Sequence, residues 1–131
     1  MIGLDTNVLI RYLTRDDESQ FRAVMQLLTR KGGTFFVCDQ VLVELDWVLS
    51  SLYDWNRDEI ADSMARLLTV HNLEFEDESR IRAALRAVRH GADLSDELIA
   101  ALYHEQGCRE LATFDKGMVK RHPKFAVIPR E

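Results

Sequence analysis

Met1-Ile2-Gly3-Leu4-Asp5-Thr6-Asn7-Val8-Leu9-Ile10 begins the chain. The apolar run before Asp5 is too short for a helix and reads as a buried strand. Asp5 then stands at the carboxyl end of that strand. Thr6 and Asn7 turn the chain into Val8, Leu9, Tyr12 and Leu13, which recur at helical spacing. Open α/β sheets bind their ligands at such strand ends. A carboxylate there is either a helix N-cap or the first ligand of a site. Asp5 alone does not choose between these, and three further acids bear on the question.

Beyond this stretch the pattern alternates. Asp16-Asp17-Glu18-Ser19 looks like a helix start, followed by Phe21, Val24, Met25 and Leu28 on one face and stopped by Gly32-Gly33. Thr34 to Cys38 is a compact β-type run. Val41, Leu45, Val48, Leu49 and Leu52 make the next helix. Asn56 followed by Glu59 resembles a capping box, opening a helix through Ile60, Met64, Leu67 and Leu68. Leu73 to Glu76 alternates as a brief strand, and Asp77 to His90 is amphipathic up to Gly91. Asp96 to Gln106 reads as a helix, Glu110 to Phe114 as a strand, Asp115 to Arg121 as a short helix and Phe125 to Ile128 as a last strand. About five strands separated by helices mean βαβ units, a mostly parallel sheet and helices on both faces. Fold class by itself names no function.

At 131 residues the chain is read as one domain, 1–131, long enough to bury a good core. Hydrophobic residues at 47% and charged ones at 30% place it among ordinary soluble globular domains rather than disordered or membrane chains. A net charge of −5 argues against a nucleic-acid partner unless some of the acids serve a metal ion, which changes the local sign. Cys38 and Cys108 make neither a disulfide framework nor a zinc cluster and read as reduced core residues. No run approaches the roughly 18 apolar residues of a membrane span, and no basic region leads into a signal peptide. The expected location is cytoplasmic.

The acids on this frame carry the chemistry. Glu44 has Val41 and Val48 as helix neighbours and Leu45 beside it, so it falls within or at the edge of an apolar stripe. Glutamates in helices usually face water, but Val43 and Trp47 leave little of this helix polar, and a buried carboxylate needs a partner charge or a metal. Asp96 shares a helix face with Ile99, Ala100 and Tyr103 and is expected to point inward. Asp93 and Ser95 read as caps, although Asp93 could still reach the same cavity. Asp115 follows Ala112-Thr113-Phe114 at another strand-to-helix junction. Four carboxylates converging without a cation would repel one another. Oxygen donors with no His or Cys cluster point to Mg²⁺ or Mn²⁺.

Leu4-Asp5-Thr6-Asn7-Val8-Leu9, Glu44 in the third helix, Ala92-Asp93-Leu94-Ser95-Asp96-Glu97-Leu98-Ile99-Ala100 and Ala112-Thr113-Phe114-Asp115-Lys116 together resemble the four motifs of the PIN-domain ribonucleases. More narrowly, the chain resembles the VapC toxins of bacterial VapBC toxin–antitoxin pairs. The resemblance covers essentially the whole chain, with the motifs in order. It implies a three-layer sandwich with a parallel sheet of order 3-2-1-4-5, a Mg²⁺-dependent endoribonuclease, and a homodimer held silent by a small VapB-like antitoxin. It also implies that Asp5, Glu44 and Asp96 form the acidic triad, Asp115 the more variable fourth acid, and Asn7 and Thr113 supporting polar groups. Ser95, where Ala is common, and Gly117-Met118 are departures that touch none of the acids.

On that basis Asp5 and Asp96 hold the metal directly, and Glu44 and Asp115 hold it through waters or bind a second ion. The metal activates water against the scissile phosphate. Arg11, Arg15, Lys116, Lys120, Arg121 and Lys124 are candidates for tracking RNA phosphates. Trp47, Tyr53 and Trp55 mark a candidate homodimer or antitoxin surface. Two other classes share parts of the pattern. An aspartyl phosphatase wants a second Asp two residues after Asp5, where this chain has Asn7. A receiver wants paired acids at the first strand and a Lys after the last, where Ile128-Pro129-Arg130 stands. A catalytically inactive RNA- or protein-binding module of the same fold should have lost some of the four acids.

Overall fold

A computed structural model describes residues 1–131. Five strands and seven helices follow one another, with two helices between successive strands except for the single helix before the last. They are β1 Ile2–Gly3, α1 Thr6–Thr14, α2 Glu18–Leu28, β2 Phe35–Val37, α3 Asp39–Ser51, α4 Arg57–Leu67, β3 Leu73–Phe75, α5 Glu78–Arg89, α6 Leu94–Glu105, β4 Leu111–Ala112, α7 Lys116–Arg121 and β5 Ala126–Val127. The fold class is the α/β sandwich expected from the sequence, with every strand pair parallel.

The sheet differs in detail. Instead of one sheet in the order 3-2-1-4-5, β1, β2 and β3 form one ladder, and β4 pairs with β5 in another. The expected neighbour relations hold within each piece, but β1 and β4 share no ladder. Ladders two or three residues long offer few bonds: Ile2 N–H to Thr34 O at 3.0 Å and Leu4 N–H to Phe36 O at 2.9 Å secure β1. With only one edge of β1 paired, Ile2 and Gly3 are exposed, which corrects the reading of this strand as buried. Leu4, one residue on, enters the core.

Helix starts follow their caps. Asn56 and Glu59 make the reciprocal capping box read from the sequence. Asp17, Asp77, Asp93 and Asp115 each accept a first-turn N–H of the helix they precede. Helix α6 therefore begins at Leu94, two residues before the expected start, with Asp93 outside it. Arg15 closes α1 in a left-handed conformation at φ 54°, its N–H returning to Arg11 O.

The main core gathers 22 buried residues around Phe35, Leu9, Leu42, Leu45 and Leu49, all essentially inaccessible. Truncating any of these leucines to Ala should cost about 2–5 kcal/mol. A second, smaller cluster of Ala100, Leu111, Met118 and Ala126 lies under the β4–β5 ladder. Helix α6 joins the two, giving Leu94 and Leu98 to the first and Ala100 to the second. Arg80 ties three elements together: its guanidinium meets Asp39 at the start of α3 at 2.8 Å and Glu105 at the end of α6 at 2.6 Å. It thereby fixes the two helices that carry Glu44 and Asp96. Burial pushes the Asp39 carboxyl up, and Arg80 pulls it the other way. The cysteines are not core residues as expected: Cys38 is half-buried and Cys108 exposed. Cys38 sits at the N-cap of α3, and Cys108 follows the turn at Gly107, both outside the packed faces. No helix is long and apolar enough to cross a membrane.

Candidate metal centre

Asp5 caps α1, and its Oδ1 accepts the Thr6 N–H at 2.8 Å. Its Oδ2 takes no hydrogen bond, so capping and metal binding do not compete for the same oxygen. Thr6 is buried, and its hydroxyl donates to Glu44 Oε2 at 2.6 Å, linking α1 to α3. Glu44 itself is exposed, contrary to the burial inferred from its neighbours. The apolar side of α3 is carried by Leu42, Leu45 and Leu49, and Glu44 stands off that line. Its reason for being held is the Thr6 hydroxyl rather than burial.

Asp96 lies in the first turn of α6, where its N–H donates to Asp93 Oδ2 at 3.1 Å. Ile99 and Tyr103 on its expected inward face are exposed, so the side chain is half-buried rather than enclosed. Burial pushes its carboxyl up, the charges of Asp93 and Asp115 push it further, and Arg121 partly offsets them. Asp93 is a helix cap, as its sequence position suggested. Asp115 caps α7: Oδ1 accepts N–H groups from Gly117 at 2.8 Å and Met118 at 3.1 Å. The Met118 amide above all holds its carboxyl below the usual range. Thr113 supports it from behind, its Oγ1 accepting the Asp115 N–H at 3.0 Å. Asn7 faces a shallow cavity between α1 and α2 that Arg11 and Gln20 also line.

The structure thus sets the acids in two groups, Asp5 with Glu44 across Thr6, and Asp96 between Asp93 and Asp115. An open cavity of about 620 Å³ is lined by Glu44 from the first group and Asp93 from the second, with Asp46 and Trp47. Asp46 was not anticipated; burial and then the charge of Asp93 push its carboxyl up. No three of these carboxylates converge closely enough, as the side chains stand, to hold an ion between them. Their chemistry nonetheless fits a hard divalent cation. The donors are oxygens, Asp5 keeps one free, and Asp96 is strained electrostatically by two neighbours. A more apolar cavity of about 480 Å³ lies between α5, α6 and the turn after α7, and none of the four acids lines it.

Glu97 is the residue the sequence reading missed, and it holds Arg121, one of the cations already considered for RNA phosphates. Glu97 is buried, with Oε1 accepting from Arg121 Nε at 3.0 Å and Oε2 lying 3.0 Å from His122 Nε2. The same guanidinium reaches toward Asp96 Oδ2 at 3.5 Å. Of the other candidate cations, Arg11 is engaged by Gln20, Asp16 and Tyr53, and Arg15 by Glu18. Lys116, Lys120 and Lys124 are exposed and make no ion pair.

A family model described as PIN domain matches residues 2–123. The VapC ribonuclease of Aquifex aeolicus (strain VF5) is 28% identical over 121 residues, covering 89% of this chain and 89% of that protein.

Proposed function

Because the chain belongs to the PIN domain family, we propose that it is a VapC-type endoribonuclease, one domain over 1–131, that hydrolyses RNA with Mg²⁺ or Mn²⁺. The observation that carries this reading is Asp96, a half-buried carboxylate flanked by Asp93 and Asp115, with Glu44, held by Thr6, lining the same cavity as Asp93. That is a deficit of positive charge at the mouth of two strands. The likeness to the VapC ribonuclease supports the same conclusion.

Asp5 and Asp96 would hold the ion directly, with Glu44 and Asp115 completing the set through water. When bound, the ion supplies Lewis acidity and an activated water. The chain's own contribution is positioning. Thr6 aims Glu44, the α7 amides fix one oxygen of Asp115 and leave the other for the site, and Thr113 braces that turn. With no His among the four acids, proton transfer falls to these carboxylates and to water. Phe114, 78% exposed beside Asp115, offers a face on which an unpaired base can stack. An RNA target places the activity in the cytoplasm.

Trp47 and Leu52 on and just after α3 are 62% and 70% exposed. Trp47 of the aromatic region and Leu52 are the exposed apolar side chains left for a homodimer or a small VapB-like antitoxin. Tyr53 and Trp55 pack against the core instead, and Tyr53 donates to Asp16.

The test is sequencing of RNA fragments released by purified protein with Mn²⁺ or Mg²⁺. Defined cuts that vanish with EDTA and with Asp5→Ala or Asp96→Ala support the reading. Cutting that survives EDTA, or mutants that cut at the wild-type rate, would rule it out. The inactive binding module is the outcome in which RNA binds and no condition yields cuts.

A further inference from the structure

Arg121 occupies a position that helix packing alone does not require. It is the last residue of α7, yet its side chain runs back along the helix toward the acids. Its Nε is fixed by Glu97 Oε1 at 3.0 Å, and Glu97 is only 8% exposed, with its other oxygen against His122. A buried carboxylate gripping one nitrogen of a planar guanidinium sets the direction of the whole fork. The two terminal nitrogens are then aimed at the site. Nη2 lies 3.5 Å from Asp96 Oδ2, too long for a strong hydrogen bond, and Nη1 donates to nothing. A Cβ built on Gly117 would meet Nη1 at 3.2 Å and Asp115 Oδ1 at 3.1 Å, so the guanidinium passes over the first turn of α7 beside both acids. At 29% exposed, it is open to a ligand arriving from solvent.

We infer that Arg121 is a built-in cation of the acidic site, pinned by Glu97 so that its free guanidinium nitrogens bind the phosphodiester of the RNA strand. This rests on the nuclease reading above and singles out, among the cations considered from the sequence, the one whose fork is held in place. A site of four carboxylates in a chain of net charge −5 repels a polyanion. One divalent ion does not offset four acids, and Lys116, next to Asp115 in the chain, makes no ion pair. Arg121 offers a fork that matches two phosphate oxygens, already oriented, with its weak contact to Asp96 as the resting partner that RNA displaces.

The test separates this role from a simple staple between α6 and α7. In an Asp5→Asn background, which leaves RNA intact, an unstructured RNA oligonucleotide is titrated with Mg²⁺ present at several salt concentrations. Arg121→Gln should weaken binding about tenfold and lower the slope of log affinity against log salt by about 0.7, the share of one phosphate contact on a single strand. Arg121→Lys should recover part of the affinity, having charge without the fork. With Asp5 intact and no RNA, Arg121→Gln should bind Mn²⁺ several-fold more tightly, because a positive charge has left the acids. A staple predicts a lower melt with RNA affinity, salt slope and Mn²⁺ affinity all unchanged below the melt, and that result overturns the inference alone. If the Asp5→Asn parent binds no RNA and the wild type cuts none, the nuclease reading falls and this inference with it.

Discussion

The Thr6 hydroxyl donates to Glu44 Oε2 across 2.6 Å, joining residues 38 apart in the chain. It is what holds Glu44, an exposed glutamate on α3, against the strand end that carries Asp5. Replacing Thr6 by Val keeps the shape and removes the donor. Glu44 can then hydrate, so the stability loss should be only about 1 kcal/mol. RNA cleavage should fall on the order of tenfold, as for other groups that orient a ligand. Thermal melts and cleavage rates measured on the same preparation check both numbers, and an unchanged rate would show that Glu44 needs no positioning.

Asp96 links the site to pH. Burial, then Asp93 and Asp115, raise its folded-state pKa above the ordinary value. An acid with a raised folded pKa binds its proton more tightly in the native state, so it destabilises the fold increasingly as pH rises through that interval. Asp96→Asn should therefore melt higher than wild type in EDTA at neutral pH, by about 2 °C. The advantage should vanish below about pH 4, where the carboxyl is protonated in both states. Millimolar Mn²⁺ should raise the wild-type melt and hardly move the mutant. A mutant that melts at or below wild type in EDTA, with equal metal responses, would mean these acids form no site.

Asp115 separates a cap from a ligand. Its pKa is lowered chiefly by the Met118 amide, and also by Gly117. Such a group stabilises the fold above its unfolded pKa, and that contribution is lost as pH falls through the folded value. Asn is an equally good cap, so Asp115→Asn should melt near the wild type at neutral pH and lose less stability in acid. Its cleavage should drop about 10- to 100-fold. Asp115→Ala should lose both the cap and the activity, and calorimetry across pH beside a cleavage assay distinguishes them.

Trp47 and Leu52 test the partner surface. Both are exposed, Trp47 on α3 and Leu52 just after it, and make no contribution to the buried core. A double change to Ser should leave the melt of the isolated domain within about 0.5 kcal/mol of wild type. It should weaken self-association or antitoxin capture by at least about tenfold, which light scattering and titration with a co-encoded small protein would read. Identical association of mutant and wild type would remove this surface from consideration.

Much of this molecule is legible along the chain because its determinants are local. Alternating apolar periods fix where strands and helices fall. The capping signals at Asn56, Asp77 and Asp115 fix where helices start, and an acid after a strand must lie at the strand's end. The resemblance to the four PIN motifs added the neighbour relations within each piece, β3-β2-β1 and β4-β5, but not the break between β1 and β4. What only the tertiary structure decided concerns residues whose environment is supplied by distant segments. The spacing around Glu44 suggested burial, but burial depends on what packs against α3, and its polar side is left to water and Thr6. Glu97 directly follows Asp96, and nothing in its spacing marks it as buried. It is buried because Arg121 and His122, more than twenty residues later, close over it. Tyr53 turned to the core and Trp47 to solvent, although both belong to one aromatic run. The break between β1 and β4 is of the same kind, since two-residue strands carry a pattern too short to specify their neighbours. Periodicity records which side of an element is apolar; it does not record which group will be brought to meet another, and in this chain that pairing sets Thr6 against Glu44 and Arg121 against Glu97 and Asp96.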